Sequence, residues 1–240
     1  HRRLSWVYPY EKTAGIPAKV SVTELKRRFD PQKSDDSGNI SVYVADLIKK
    51  PLFLEEKKGL SAAERGTILH FIMQHLDLPF PEGIKNNQII SSEIERQVER
   101  MVIRDLITRK QAESVDIQKI AEFFDSSLGR RMLGAASINR EVPFNMEIPC
   151  DELYTDLARE GCNGETVLLQ GVIDCYFEES GGIVLIDYKT DYAPKNRQEL
   201  LKNRYKLQIS YYARALEMLT GKRVKEKYIY LFWNGEVLEM

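Results

Sequence analysis

Apolar residues recur along this chain with two different periods. In SAAERGTILHFIMQHLDL, beginning at Ser61, they return every three to four positions, and Leu69, Ile72, Met73 and Leu76 form one stripe at helical spacing. Ser61 and Glu64 stand just ahead of that stripe as a capping-box pair, which predicts a helix that ends near Pro79. Ser21 and Glu24 repeat the pattern in SVTELKRRF, read as a short helix, and residues 30–41 read as a polar loop. From Ser91 to about Met132 the chain is highly charged and helical in period, with breaks before Asp116 and near Asp125 to Ser127. Two or three helices forming a lobe or lid are expected there.

The period then changes to two. REVPFNMEI, VLLQGVIDCYFEE and GIVLIDYKT are rich in β-branched and aromatic residues and predict strands. A long amphipathic helix follows from about Gln198 to Leu219, and KYIYLFW, from Lys227 to Trp233, reads as a final strand. The order of helices, three strands, helix and strand suggests a mixed sheet in an α/β arrangement.

A Ser-Gly-Gly breaker between two of these strands marks a β-hairpin. With Ser180 and Gly181 as its two-residue loop, residue 179 faces 182 and Asp174 falls directly opposite Asp187. Opposed residues have Cβ atoms roughly 4.5 to 5.5 Å apart on one face. Side chains alternate along a strand, so Ile183, Leu185, Asp187 and Lys189 share that face and Val184, Ile186 and Tyr188 line the other. Two carboxylates in apolar surroundings repel and call for a positive charge between them. Two readings stand level on the hairpin alone: a structural ion pair with Lys189 or a nearby arginine, or a divalent cation held by oxygen ligands with Lys189 free to act on a water.

Composition narrows the setting. At 240 residues the chain can bury a full core, and it is read as a single domain over 1–240 with a helical insertion or lobe at 85–135. No apolar run approaches the roughly 18 residues of a membrane span and no signal peptide opens the chain, so a cytoplasmic protein without membrane contact is expected. The chain opens HRRLSWVYPY without an initiator Met and is read as a fragment of something longer. It has no GxxxxGK[ST] motif, so any ATP-driven activity belongs elsewhere. A net charge of −1 argues against a general nucleic-acid coat, yet Lys189, Lys195, Arg197, Lys202, Arg204 and Lys206 make a local basic stripe after the hairpin. Three cysteines, Cys150, Cys162 and Cys175, lack CxxC spacing and are expected reduced, with no zinc or iron–sulfur site.

Other residues can join the carboxylate pair. His70 lies on the helix after Gly66, whose lack of a side chain would allow close approach of another segment. A lone helical histidine, like His75 beside it, is most often a packing residue, but a neutral imidazole makes a good third ligand beside two carboxylates. Gln208 and Tyr212 are four apart and project from one helix face, with Tyr205 beside them. That pair could lean over the hairpin end and hydrogen-bond a phosphate or aim a lysine.

GTILH ending in His70, GVID ending in Asp174, IDYKT with Asp187 and Lys189, and QISYY with Gln208 and Tyr212, in this order, resemble the PD-(D/E)XK nuclease superfamily, in its RecB-like branch. VTELKRRF, REVPF and YLFWNGEV extend the resemblance over most of the chain, while Val-Ile-Asp stands where the superfamily name has Pro-Asp. The resemblance implies a restriction-endonuclease-like core: a mixed β-sheet flanked by helices, with an added helical region. It implies a metal site of His70, Asp174, Asp187 and the backbone carbonyl of Tyr188, with Mg²⁺ bound and Mn²⁺ tolerated. Lys189 would orient or activate the attacking water, and Gln208 and Tyr212 would complete the site. Members of the iron–sulfur type carry four cysteines flanking the core, an arrangement the three here do not match. The implied activity is hydrolysis of single-stranded DNA, fed by a helicase in the remainder of a longer chain and working with a partner subunit in double-strand break repair and recombination. Tyr192 or Tyr205 would stack on unpaired bases. The alternatives are a stand-alone endonuclease or resolvase on the same core, and an inactive nuclease-like DNA-binding scaffold.

Overall fold

A computed structural model describes residues 16–28, 59–80, 87–154, 164–191 and 198–240. The expected loop at 30–41, Cys162, Tyr192, Lys195 and Arg197 lie outside the described residues. Within them the elements run β1 (Lys19–Ser21), α1 (Val22–Arg28), α2 (Ala62–His75), α3 (Asn87–Ile103), α4 (Arg109–Glu113), α5 (Ile117–Asp125), α6 (Ser127–Leu133), β2 (Ser137–Pro149), α7 (Cys150–Leu153), β3 (Thr166–Glu179), β4 (Gly182–Lys189), α8 (Gln198–Thr220), β5 (Val224–Leu231) and β6 (Glu236–Glu239).

The capping signals act where the sequence puts them. Glu64 N–H donates to Ser61 Oγ at 3.2 Å and Ser61 N–H to Glu64 Oε2 at 2.7 Å, which fixes the start of α2. Glu24 N–H donates to Ser21 Oγ at 3.1 Å at the start of α1. The charged helical stretch resolves into α3 to α6, one helix more than the upper expectation, because Asp105 turns the chain at φ 56° and Thr108 caps a further short helix. KYIYLFW is not the final strand: a turn at Gly235 (φ 70°) sends the chain back as β6.

All six strands form one mixed sheet in the order β1-β3-β4-β5-β6, with β2 also paired to β3. β1–β3 and β4–β5 are parallel, the latter joined through α8; the other pairs are antiparallel. The sheet is buried on both faces, giving three layers. Ile183, Leu185, Ile229 and Leu231 pack with Val22 and Leu25 of α1 and Leu201, Ile209 and Leu216 of α8. On the other face Phe177, Val184, Ile186 and Tyr188 pack with Ile72, Ile94, Phe123, Phe124 and Met132 of the α2–α6 layer. The helices of the charged stretch therefore share one core with the sheet.

β3 carries the feature that makes the site. One edge pairs with β2 from Thr166 to Glu178. On the other edge β1 pairs only with Leu168 to Gln170, and β4 only with Cys175 to Glu179. The sheet forks between these two partners, and Asp174 sits at the fork.

Candidate active site

The hairpin register is the one the turn dictates. Glu179 faces Gly182 and the ladder continues to Cys175 opposite Ile186, so Asp174 and Asp187 occupy the next rung. There the backbones part, and Tyr188 N–H donates to Asp174 Oδ2 at 2.8 Å in place of a ladder carbonyl. A side chain thus satisfies a backbone donor that the fork would otherwise leave buried and unpaired.

Glu141 on β2 faces Asp174 across the other edge of β3 and takes φ 50°, rare for a residue with a side chain. This brings its carboxylate to 3.3 Å from His70 Nδ1, while Asp174 Oδ1 is 3.6 Å from the same nitrogen. Its neighbour Arg140 anchors the helix that carries His70: Nη1 donates to the carbonyls of Met73 and Leu76 at 2.8 and 2.7 Å. These are the C-terminal carbonyls that a helix cannot satisfy itself. At the other end of α2, a Cβ on Gly66 would lie 3.2 Å from Thr190 Oγ1, so the glycine lets the helix seat against the end of β4.

Lys189 joins the two carboxylates. Its Nζ is ion-paired with Asp187 Oδ2, lies 3.9 Å from Asp174 Oδ2, and donates to the Tyr188 carbonyl at 3.1 Å. His70 Nε2 shares that carbonyl at 3.2 Å. Asp187 is fully buried, and Gln208 Nε2 donates to its Oδ1 at 3.1 Å and to Tyr212 Oη at 3.0 Å. Tyr212 in turn packs edge-on against Phe144, in space left by Gly171, where a Cβ would meet the Phe144 ring at 2.6 Å. The glycine that opens GVID is thus a packing requirement.

Burial pushes the Asp187 carboxyl up to about 6, with Lys189 opposing and Asp174 adding to the rise. Burial works against the Lys189 ammonium as well, but Asp187 and Asp174 outweigh it and hold its pKa above the ordinary value. For His70 burial is likewise the largest influence, and Glu141 and Asp174 overcome it, raising the imidazole pKa.

The donor set fits a hard divalent cation. Ligand atoms of His70, Glu141 and Asp174 all lie within 4.8 Å of one another. Two ligands at about 2.1 Å from an octahedral ion lie about 3 Å apart in cis and about 4 Å in trans, so a small ion spans this group with little movement. Asp187 stands outside that trio and reaches it through Lys189. His70, Asp174, Asp187, Tyr188, Lys189, Gln208 and Tyr212 are thus brought into one connected network. Glu141 is the member that sequence reading did not assign; it stood in REVPF, whose alternation indicated only a strand.

Other residues singled out in the sequence stand apart from this network. His75 is exposed and its Nδ1 bonds the Phe71 carbonyl of its own helix. Tyr205 is not open for base stacking, because it is buried, its hydroxyl donates to Asp191 Oδ2 at 2.7 Å, and Lys26 covers its ring. The described cysteines, Cys150 and Cys175, are buried in separate cores, and burial pushes the Cys175 thiol up to about 12. Among the described residues no helix is long and apolar enough to cross a membrane.

A forked mixed sheet with an aspartate at the fork, an Asp-x-Lys strand beside it and helices on both faces defines a nuclease class. The chain belongs to the PD-(D/E)XK nuclease superfamily, whose sequence profile matches residues 42–237. Nucleases of this superfamily are hydrolases that use divalent metals. The chain is 61% identical over 237 residues to an ATP-dependent helicase/nuclease subunit of Acetivibrio thermocellus, covering 99% of this chain and 18% of that protein. It is 53% identical over 240 residues to the protein of the same name from Ruminiclostridium cellulolyticum, covering 100% of this chain and 18% of that protein. The corresponding protein of a Thermoanaerobacter species is 49% identical over 238 residues, 99% of this chain and 19% of that protein. The chain therefore spans less than a fifth of the length of these curated relatives.

Proposed function

We propose that this chain is the nuclease domain of an AddA-type helicase–nuclease, where it hydrolyses phosphodiester bonds of single-stranded DNA with Mg²⁺, Mn²⁺ substituting. The observation that carries this reading is Lys189 lodged between Asp174 and Asp187, with Asp187 fully buried. A carboxylate pair of this kind is expensive to bury, and a scaffold has no physical need for it.

His70, Glu141, Asp174, Asp187 and the Tyr188 carbonyl are the residues that would hold the ion. When bound, Mg²⁺ neutralises phosphate charge, acidifies a water and stabilises the departing oxygen. The chain's own groups do the positioning. Lys189, on the same face as Asp187 and held as an ammonium by the two carboxylates, would donate to the attacking water and hold it in line. Gln208 fixes the rotation of the Asp187 carboxylate, and Tyr212 fixes Gln208. The imidazole imparts some tolerance for Mn²⁺. Lys202, Arg204 and Lys206 on α8 follow the hairpin and would track a strand backbone without reading its bases. The helicase region of a longer chain would deliver that strand, with an AddB-type protein as partner, in the cytoplasm, during double-strand break repair and recombination.

Incubation of the chain with end-labelled single-stranded DNA and Mg²⁺ tests this. Cleavage is expected, with a loss of about 10³-fold or more in Asp187→Asn and Lys189→Ala variants that keep their circular dichroism spectra. Equal cleavage by parent and variants would contradict it.

A further inference from the structure

VTELKRRF gives the nuclease reading above no catalytic residue, yet α1 delivers one of its side chains to the edge of the centre. Lys26 is half-buried, and its Nζ lies 3.6 Å from the centroid of the Tyr205 ring. Lys189 Nζ is 5.1 Å from the same centroid and the Arg204 guanidinium 5.9 Å. Three cations from three elements therefore gather around one ring.

Among the described residues no carboxylate comes within ion-pair distance of Lys26. The nearest acids are already committed: Asp191 accepts from the Tyr205 hydroxyl, and Asp187 is shared by Lys189 and Gln208. Burial, then Lys189, then Arg204 press the Lys26 ammonium down to about 8, with Asp187 and Asp191 acting the other way, so it still carries its charge at neutral pH. A cation–π contact explains how such a group stays in place. The ring holds the ammonium by its quadrupole without neutralising it, whereas a directly paired carboxylate would. A pre-positioned ammonium with no carboxylate at ion-pair distance among the described residues, beside a hydrolytic centre, is suited to one kind of ligand, an anion that arrives with the substrate.

Resting on the nuclease reading above, we propose that Lys26, seated on Tyr205, binds a backbone phosphate of the substrate strand next to the phosphodiester that Lys189 faces. Lys26 is then a positioning residue. It sets the register of the strand across the centre, and Tyr205 serves as its platform and not as a base-stacking surface. Asp191 anchors the platform from the loop that follows β4, so α1, β4 and α8 are locked together at the point where the strand enters.

Binding of a fluorescein-labelled oligothymidylate, followed by anisotropy over a salt series with Ca²⁺ in place of Mg²⁺, is the test. Lys26→Met is expected to weaken binding about ten-fold and to lower the slope of log Kobs against log salt by about 0.7, the value of one phosphate contact on a single strand. Lys26→Arg should recover most of both, and calorimetric Mn²⁺ binding should be unchanged in either variant. Unchanged affinity and slope in Lys26→Met would overturn the proposal, as would a parallel loss of Mn²⁺ binding, which would mean that Lys26 acts on the carboxylates. A parent chain that binds Mn²⁺ but neither binds nor cuts the oligonucleotide would overturn the nuclease reading, and the proposal with it.

Discussion

Glu141 holds a backbone conformation that costs an L-residue about 1 to 2 kcal/mol, and it does so at the one rung where its carboxylate meets His70. Strain kept at such a place points to a use, and the one we propose is the completion of a ligand set. Glycine adopts this conformation without that cost, although it loses about 0.5 to 1 kcal/mol through extra freedom in the unfolded chain. Glu141→Gly is therefore expected to melt at or slightly above the parent temperature while Mn²⁺ affinity, measured by calorimetry, falls about ten-fold or more. Glu141→Ala should lose the same affinity without the gain in stability. A destabilised Glu141→Gly would show that the carboxylate supports the fold and not the ion. Asp174, Asp187 and Lys189 could be set together from the sequence because a tight turn fixes strand register, and Gln208 with Tyr212 because a helix fixes the i, i+4 pair, whereas only the family resemblance joined them to one another and to His70. Glu141 could not, since its orientation depends on the fork and on a left-handed residue within a strand, and neither leaves a mark in residue alternation.

Among elements, α6 is tied to the sheet by charge. Arg131 donates to both Glu179 carboxylate oxygens at 3.0 and 2.8 Å and lies 2.7 Å from Glu226, while Lys225 meets Glu179 at 2.8 Å. Arg131 first, then Lys225, hold the Glu179 carboxyl down at about 2, against an ordinary 4.5. A depressed carboxyl contributes stability in full above its unfolded pKa, and that contribution is lost as pH falls from about 4.5 toward 2. Arg131→Met should cost about 1 kcal/mol in urea unfolding at pH 7, with the difference from the parent closing across that acid window. A difference independent of pH would mean that Arg131 acts through packing alone. The elements most legible in the sequence were those with local signals: the capped α2, the long α8 and the β3–β4 hairpin. β1 and β6 escaped because strands of three and four residues carry too little alternation, and their pairing is decided by distant partners. The extra break before α4 rests on Asp105, which no turn-forming glycine announces.

For the whole molecule, the question is whether the helical stretch after α2 is a separate lobe. Phe123 of α5 is fully buried and packs against Tyr188, Tyr230 and Phe232 of the sheet side, with ring centroids 5.4, 4.7 and 6.1 Å away. Tyr188 lies between the site residues Asp187 and Lys189, so this core and the site share a strand. A single cooperative transition is therefore expected, with circular dichroism and aromatic fluorescence coincident, and a loss of about 3 to 5 kcal/mol for Phe123→Ala. Two separated transitions would identify an independent lobe. Composition and period foretold the layered α/β architecture, but not which helices cover which face, because a charged amphipathic helix looks the same on a lid as on a core.

We propose that His70, Glu141, Asp174 and Asp187 form a divalent-metal centre and not a structural ion-pair network. Calorimetric titration with Mn²⁺ of the parent chain and of Asp174→Asn, each with its melting temperature recorded, tests it most directly. A metal centre should give saturable binding that raises the parent melting temperature by mass action, and both effects should be lost in Asp174→Asn. A parent whose melting temperature ignores Mn²⁺ and that gives no binding heat would leave these residues as a buried ion-pair network and contradict the account.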